Sequence, residues 1–188
     1  MAISFSQYSK VYNEFCISYS GSHREHALLL MHFRNSLEKY YSCNIHLALN
    51  PKFLHLCDYR CFDSNLLQKK KYEFGYVFNI KLDPKVNPFF DLVKHTPRHV
   101  FSFPKKEHFE KTIICPSASF PHRDMSEEEI SFYKNKFKNS VVVKNPEEIP
   151  EKCNLVGVSG EVFWTGVLKG LSHKLVISKD DLYNFLFL

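Results

Sequence analysis

The residues best able to do chemistry stand at three places where an apolar run gives way to small and polar side chains. The first is Ser159-Gly160-Glu161, between the apolar run NLVGV and the amphipathic run EVFWTGVLKG. A strand that stops at a small pair and restarts as a helix aims the helix's first backbone N–H groups, and its positive dipole end, at whatever lies above the sheet. The N–H groups of Gly160, Glu161 and Val162 are then expected to bind phosphate oxygens, with the Ser159 hydroxyl as a further donor. An ordinary strand-to-helix turn is the plainer reading, because the full glycine-rich nucleotide patterns are absent. Glu161 would repel a phosphate. Its carboxylate suits a ribose or sugar hydroxyl, or only the helix dipole.

The second place follows TIIC, where Ser117, Ala118, Ser119, Phe120, Pro121, His122 and Arg123 form a loop of small and basic residues. Ser117 and Ser119 can donate to phosphate, and Arg123 brings a forked, permanently charged donor suited to a diphosphate or to the solvent surface. The third is Ser20, Gly21, Ser22, His23, Glu25 and His26, where a β-prone run meets a helical one. His23 or Glu25 could take a proton from an acceptor hydroxyl, since His titrates near neutrality and burial tunes Glu upward. Either could equally be a surface group.

These places call for elements to carry them. FCISYS (15–20) reads as a strand, followed by a helix over 23–41. In that helix Ala27, Leu28, Leu30, Met31, Phe33, Leu37 and Tyr40 form an apolar face, and Arg24, Glu25, Arg34, Asn35, Glu38 and Lys39 fill the other. NIHLAL (44–49) is a second strand, Ser64 to Tyr72 a helix carrying Lys69, Lys70 and Lys71 on a solvated face, and Tyr76 to Leu82 a third strand. A short helix is expected at 89–95 and a strand at His99 to Phe103. The pattern then restarts: a strand at Thr112 to Cys115, a helix over 126–137 opened by a Ser126/Glu129 capping box, and a strand at Val141 to Lys144. A strand at Leu155 to Val158, the helix after Gly160, a strand at Leu175 to Ser178 and a helix at Asp180 to Phe187 complete it. Trp164 falls among core positions. Alternating strands and helices imply mostly parallel sheets, so the fold class is α/β with two small Rossmann-like lobes, residues 1-110 and 111-188.

The totals bound the function. The 188 residues can make one domain or two lobes of roughly 90 residues. With 18 Phe and 10 Tyr the chain is equipped for a packed core rather than a disordered tail. A net charge of +5 favours an anionic ligand without requiring nucleic acid. The six Cys lack a CxxC pair, and His55, Cys57 and Cys61 lack a zinc spacing and a matched fourth ligand, so reduced thiols and no metal are expected. No G-x-S-x-G elbow marks a serine hydrolase. No leader pattern and no run of about 20 apolar residues is present, which predicts a soluble, cytoplasmic protein without a membrane span.

The runs TIICPSASFPHRDMSEEEISFY, SVVVK and NLVGVSGEVFWTGVLKGLSHKLVIS resemble the donor-nucleotide half of GT-B fold glycosyltransferases, in particular the heptosyltransferase-like group. That half opens with a strand, a Pro-Gly-Ala-Ser type loop and a basic residue, matched here by Pro116, Ser117, Ala118, Ser119 and Arg123, with Ser117 in place of the usual glycine. Ser159 and Gly160 stand at the later small-residue turn, and Gly166, Leu168, Gly170 and Leu171 along the helix after it. The resemblance spans 112–178; over 15–95 it extends only to strand and helix order. It implies a GT-B-like pair of lobes around a cleft, with an acceptor side and a nucleotide-sugar side. The implied activity is metal-independent transfer of a sugar from a nucleotide diphosphate sugar to a hydroxyl acceptor, without a cofactor. Arg123 and the 159–161 turn would hold the diphosphate, Glu161 the ribose or sugar, and His23 or Glu25 would be the base. Two other readings stay open: a non-catalytic nucleotide or sugar-phosphate binding protein, and a basic interaction protein touching nucleic acid through Lys69 to Lys71 and Lys105 to Lys106.

Overall fold

The computed structural model describes residues 5–80, 95–101, 109–169 and 176–178. The chain divides into two compact units, Met1–Phe101 and Ser102–Leu188. Each is built on its own four-stranded, wholly parallel sheet. The α/β class with two small Rossmann-like units therefore holds.

In the first unit α1 (Phe5–Tyr8) leads to β1 (Glu14–Tyr19), α2 (Arg24–Tyr41) and β2 (Asn44–Leu49). After a 3-10 turn at Pro51–Leu56 come β3 (Cys61–Asp63), α3 (Leu67–Lys70) and β4 (Tyr76–Asn79). The sheet order is β3-β2-β1-β4. β1 is central and buried along all but its first residue, as a parallel strand covered on both faces must be, whereas β3 and β4 at the edges are half-exposed. Phe5 packs on Phe15 with ring centroids 4.7 Å apart, and Phe33 packs edge-on to Phe101.

Two features of α2 depart from its sequence pattern. Leu29 joins the buried face while Tyr40 is exposed, and the charged residues Glu25 and Arg34 are buried. Burial is tolerable because each meets a partner: Glu25 the His23 ring at 3.6 Å, and Arg34 both oxygens of Asp58 at 3.1 and 2.7 Å. The three-residue strand β3 falls in a stretch without a strand pattern. The Ser64 to Tyr72 segment is a chain of 3-10 turns around the single α-turn α3, in place of one helix. Arg98–Phe101 is a 3-10 turn in place of the start of the strand expected at His99 to Phe103. The reason is tertiary: His32 Nε2 lies 3.3 Å from the Phe101 carbonyl oxygen, which ties this segment to α2 instead of to a sheet. The short helix expected at 89–95 falls outside the described residues except for its last position, a turn. Lys105 and Lys106 also fall outside them.

The second unit runs β5 (Thr112–Cys115), α4 (Glu127–Lys136), β6 (Ser140–Val142), β7 (Asn154–Gly157), α5 (Glu161–Lys169) and β8 (Val176–Ser178), in the order β6-β5-β7-β8. The Ser126/Glu129 capping box is present in both directions, at 3.2 and 3.0 Å. Ile114 and Val156 pair across the sheet and pack with Met125 and with Ile130 of α4. The preceding residue of β7, Leu155, points to the opposite face, where it meets Gly166 of α5. Helices thus cover both faces. Gly170, Leu171 and the helix expected at Asp180 to Phe187 lie outside the described residues.

Candidate functional site

In an open parallel sheet, a ligand crevice forms above the carboxyl ends of two strands whose connections leave in opposite directions. In the second unit β5 connects to β6 on one side, while β7 continues to β8 on the other, so the switch lies between β5 and β7. Cys115 and Gly157 pair at its rim. The loops that leave these strands are the two whose sequences favour an anion.

They are locked to each other through backbone. The Ser119 N–H donates to the Ser159 carbonyl at 2.9 Å, and the Val158 N–H to the Cys115 carbonyl at 3.3 Å. A Cβ at Gly160 would overlap the Ser117 carbonyl oxygen and crowd the Ala118 backbone, so only glycine permits this approach. Its φ is not positive, so the requirement is one of space. The first loop also folds on itself: the Ala118 N–H donates to Asp124 Oδ1 at 2.7 Å, and the Met125 N–H to the Pro116 carbonyl at 2.9 Å. Ser117, Ser119 and Ser159 are half-buried at this junction. Glu161 is the first residue of α5, half-buried, so the helix's opening N–H groups, which have no acceptor inside the helix, start beside the junction. Arg123 is exposed on a 3-10 turn, with its guanidinium 5.8 Å from the Phe120 ring centroid. Ser117, Ser119, Ser159, Gly160 and Glu161 are therefore brought together, and Arg123 stands at the outer end of the same loop.

The first unit holds its candidate residues differently. At the end of β1 the buried Tyr19 hydroxyl lies 3.1 Å from His26 Nδ1 and accepts the His23 backbone N–H at 3.3 Å. A Cβ at Gly21 would overlap the Tyr19 ring. His23 Nδ1 is 3.6 Å from Glu25 Oε1, with the His23 side chain 33% exposed and Glu25 4%. The pair has the form of an accessible imidazole beside a buried carboxylate, the carboxylate fixing the ring's orientation. Burial pushes the Tyr19 phenol up to about 12, against the opposing His23 hydrogen bond, so it stays a neutral hydroxyl at any ordinary pH.

Two contributors escape a reading of the sequence. Asp124 follows the basic residue of its loop and carries no sign that it turns back on Ala118, although Asp commonly accepts backbone N–H groups in loops. Tyr19 is hidden inside an apolar run. Among the described residues no group of three or more His, Cys, Asp or Glu side chains could hold a metal ion, and no helix is long and apolar enough to cross a membrane. No protein-family model matches the chain, and no curated protein or solved structure matches it either.

Proposed function

We propose that the second unit binds the diphosphate of a nucleotide diphosphate sugar above β5 and β7, and that the protein transfers the sugar to a hydroxyl acceptor. One observation carries this reading: the two small-residue loops are locked together at the switch point of a parallel sheet, beside the start of a buried helix. The hydroxyls of Ser117, Ser119 and Ser159 and the opening N–H groups of α5 are the donors for phosphate oxygens. Arg123 leaves the Phe120 ring to pair with the diphosphate, and Glu161 accepts from a ribose or sugar hydroxyl.

In the transfer the acceptor oxygen attacks the anomeric carbon, the bond from that carbon to the phosphate oxygen breaks, and the nucleoside diphosphate leaves. A general base takes the acceptor proton, and in the first unit His23, 3.6 Å from Glu25, has the chemistry for that role. Arg123 and the dipole of α5 take up the charge growing on the leaving diphosphate.

A thermal-shift screen over nucleotides and nucleotide sugars tests the binding half. A ligand at a hundred times its Kd adds about 2.7 kcal/mol of stability, a plain rise in melting temperature, and Arg123→Ala should weaken it. If no nucleotide or nucleotide sugar raises the melting temperature, the reading falls. A non-catalytic binder is favoured by the Tyr19 hydroxyl, which ties up the His26 ring and the His23 backbone N–H at the end of β1. Release of nucleoside diphosphate that is lost in His23→Ala and Glu25→Gln, with affinity kept, excludes that second reading.

A further inference from the structure

The turn between Cys57 and Cys61 plays no part in the sites above, yet it places two thiols beside a buried charge. Arg34 of α2, 5% exposed, directs Nη1 at Cys61 Sγ, 3.4 Å away, while the same nitrogen and Nη2 bind the two oxygens of Asp58. A sulfur in contact with a guanidinium is stabilised as the thiolate, the nucleophilic form. Cys57, four residues earlier, donates its S–H to the Phe53 carbonyl oxygen 3.3 Å away and lies 3.8 Å from Sδ of Met31, one turn before Arg34 on α2, so the same stretch of helix meets both thiols. Both cysteines are half-buried, so small solutes can reach them.

The surroundings divide the pair. The neighbouring Cys57 thiol and the Arg34 charge hold Cys61 below the ordinary thiol range, against burial and the nearby Asp58 carboxylate 3.9 Å away. The neighbouring Cys61 sulfur, with burial, holds Cys57 well above it. The remaining thiols are buried and pushed up by desolvation, Cys16 and Cys115 to about 12 and Cys43 and Cys153 to about 11. One sulfur of six is set apart.

We propose that Cys61 is a site of oxidation by hydroperoxides and that Cys57 is its resolving thiol, the two closing an intrachain disulfide across the turn that leads into β3. The Cys61 thiolate attacks the terminal peroxide oxygen, the O–O bond breaks, and its electron pair leaves with a hydroxide or alkoxide that takes up a proton. Cys61 is then a sulfenic acid. The Cys57 sulfur attacks the Cys61 sulfur, the S–O bond breaks, and hydroxide departs with the Cys57 proton as water. Two thiols are oxidised and one hydroperoxide is reduced, giving a disulfide, one alcohol or water from the leaving oxygen, and a second water.

The test uses the full chain, reduced, freed of reductant and exposed to limiting hydrogen peroxide, with peptide mass spectrometry as the readout. The Cys57–Cys61 disulfide should form while the four buried thiols stay reduced. Cys57→Ser should stop at a sulfenic acid on Cys61 that dimedone traps, and Cys61→Ser should abolish both products. Arg34→Gln should slow oxidation about tenfold, in line with a smaller thiolate fraction. Should that variant fail to fold, the pH profile of Cys61 alkylation by iodoacetamide in the unaltered protein serves instead, with a midpoint expected below the usual value near 8.5. An ordinary midpoint, or peroxide that leaves Cys57 and Cys61 unlinked, overturns the proposal.

Discussion

The two units solve the same local problem, a central parallel strand that must hand over to a helix, with different materials. At the end of β1 the turn is filled by side chains: the Tyr19 ring lies under Gly21, and its hydroxyl ties His26 and the His23 backbone. At the end of β7 the turn is filled by backbone: Gly160 sits against the Ser117 carbonyl, and Ser159 accepts from Ser119. A side-chain knot concentrates titratable groups around the strand end. A backbone knot brings small hydroxyls and the start of a helix together at the rim, which is the chemistry an anion needs. The strand orders differ too, with the switch beside β1 in one unit and between β5 and β7 in the other.

The sharpest way to break the contrast is Gly160→Val. Its side chain meets backbone that cannot yield, so a loss of about 3 kcal/mol is expected. Trp164, the sole tryptophan and buried in α5, reports it as an earlier urea midpoint in fluorescence. Next comes Gly21→Ala combined with Tyr19→Leu. Because the obstacle there is a side chain, the double-mutant cycle should show about 1–2 kcal/mol of coupling, while Gly160→Ala with Ser117→Ala shows almost none. Equal coupling in both cycles would erase the distinction.

The third probe is pH. Burial lowers the pKa of His32 in the first unit against its hydrogen bond to the Phe101 carbonyl. Below the unfolded value near 6.5 the unfolded chain gains a proton that folded His32 resists, so stability falls as pH drops, by at most about 1.4 kcal/mol per pH unit. His32→Phe should flatten that slope in hydrogen exchange of the α2 amides; an unchanged slope counts against a buried neutral imidazole. Tyr19 works with the opposite sign at the other end. Its contribution is whole below the unfolded value of about 10 and is lost as the pH rises toward about 12. The smallest effect is that of Ser126→Ala in the second unit. Losing one side of the capping box should cost about 1 kcal/mol, seen again through Trp164.

Much of the site in the second unit is legible in the sequence because its signals are local. A capping box declares itself within four residues, a parallel strand by an unbroken apolar run, and a strand-to-helix turn by its small residues. The NIHLAL strand agrees residue for residue, and Thr112–Cys115 and the start of α4 fall where expected. Legibility is poorer at the charged positions of α2. Periodicity assigns Glu25 and Arg34 to the solvent side, and nothing within one helical turn of Arg34 announces Asp58, 24 residues on.

What the sequence determined by itself is the alternation of strands and helices, the small-residue turns after β5 and β7, and the caps, since each depends on neighbours along the chain. Strand order was left to the tertiary structure, as were the interlock of Ser117 with Gly160, the burial of Glu25 and Arg34, and the Arg34 guanidinium beside Cys61. Those depend on which distant segments pack together. A three-residue strand such as β3 exists only because β2 offers it a ladder, and a buried charge persists only where folding supplies its partner.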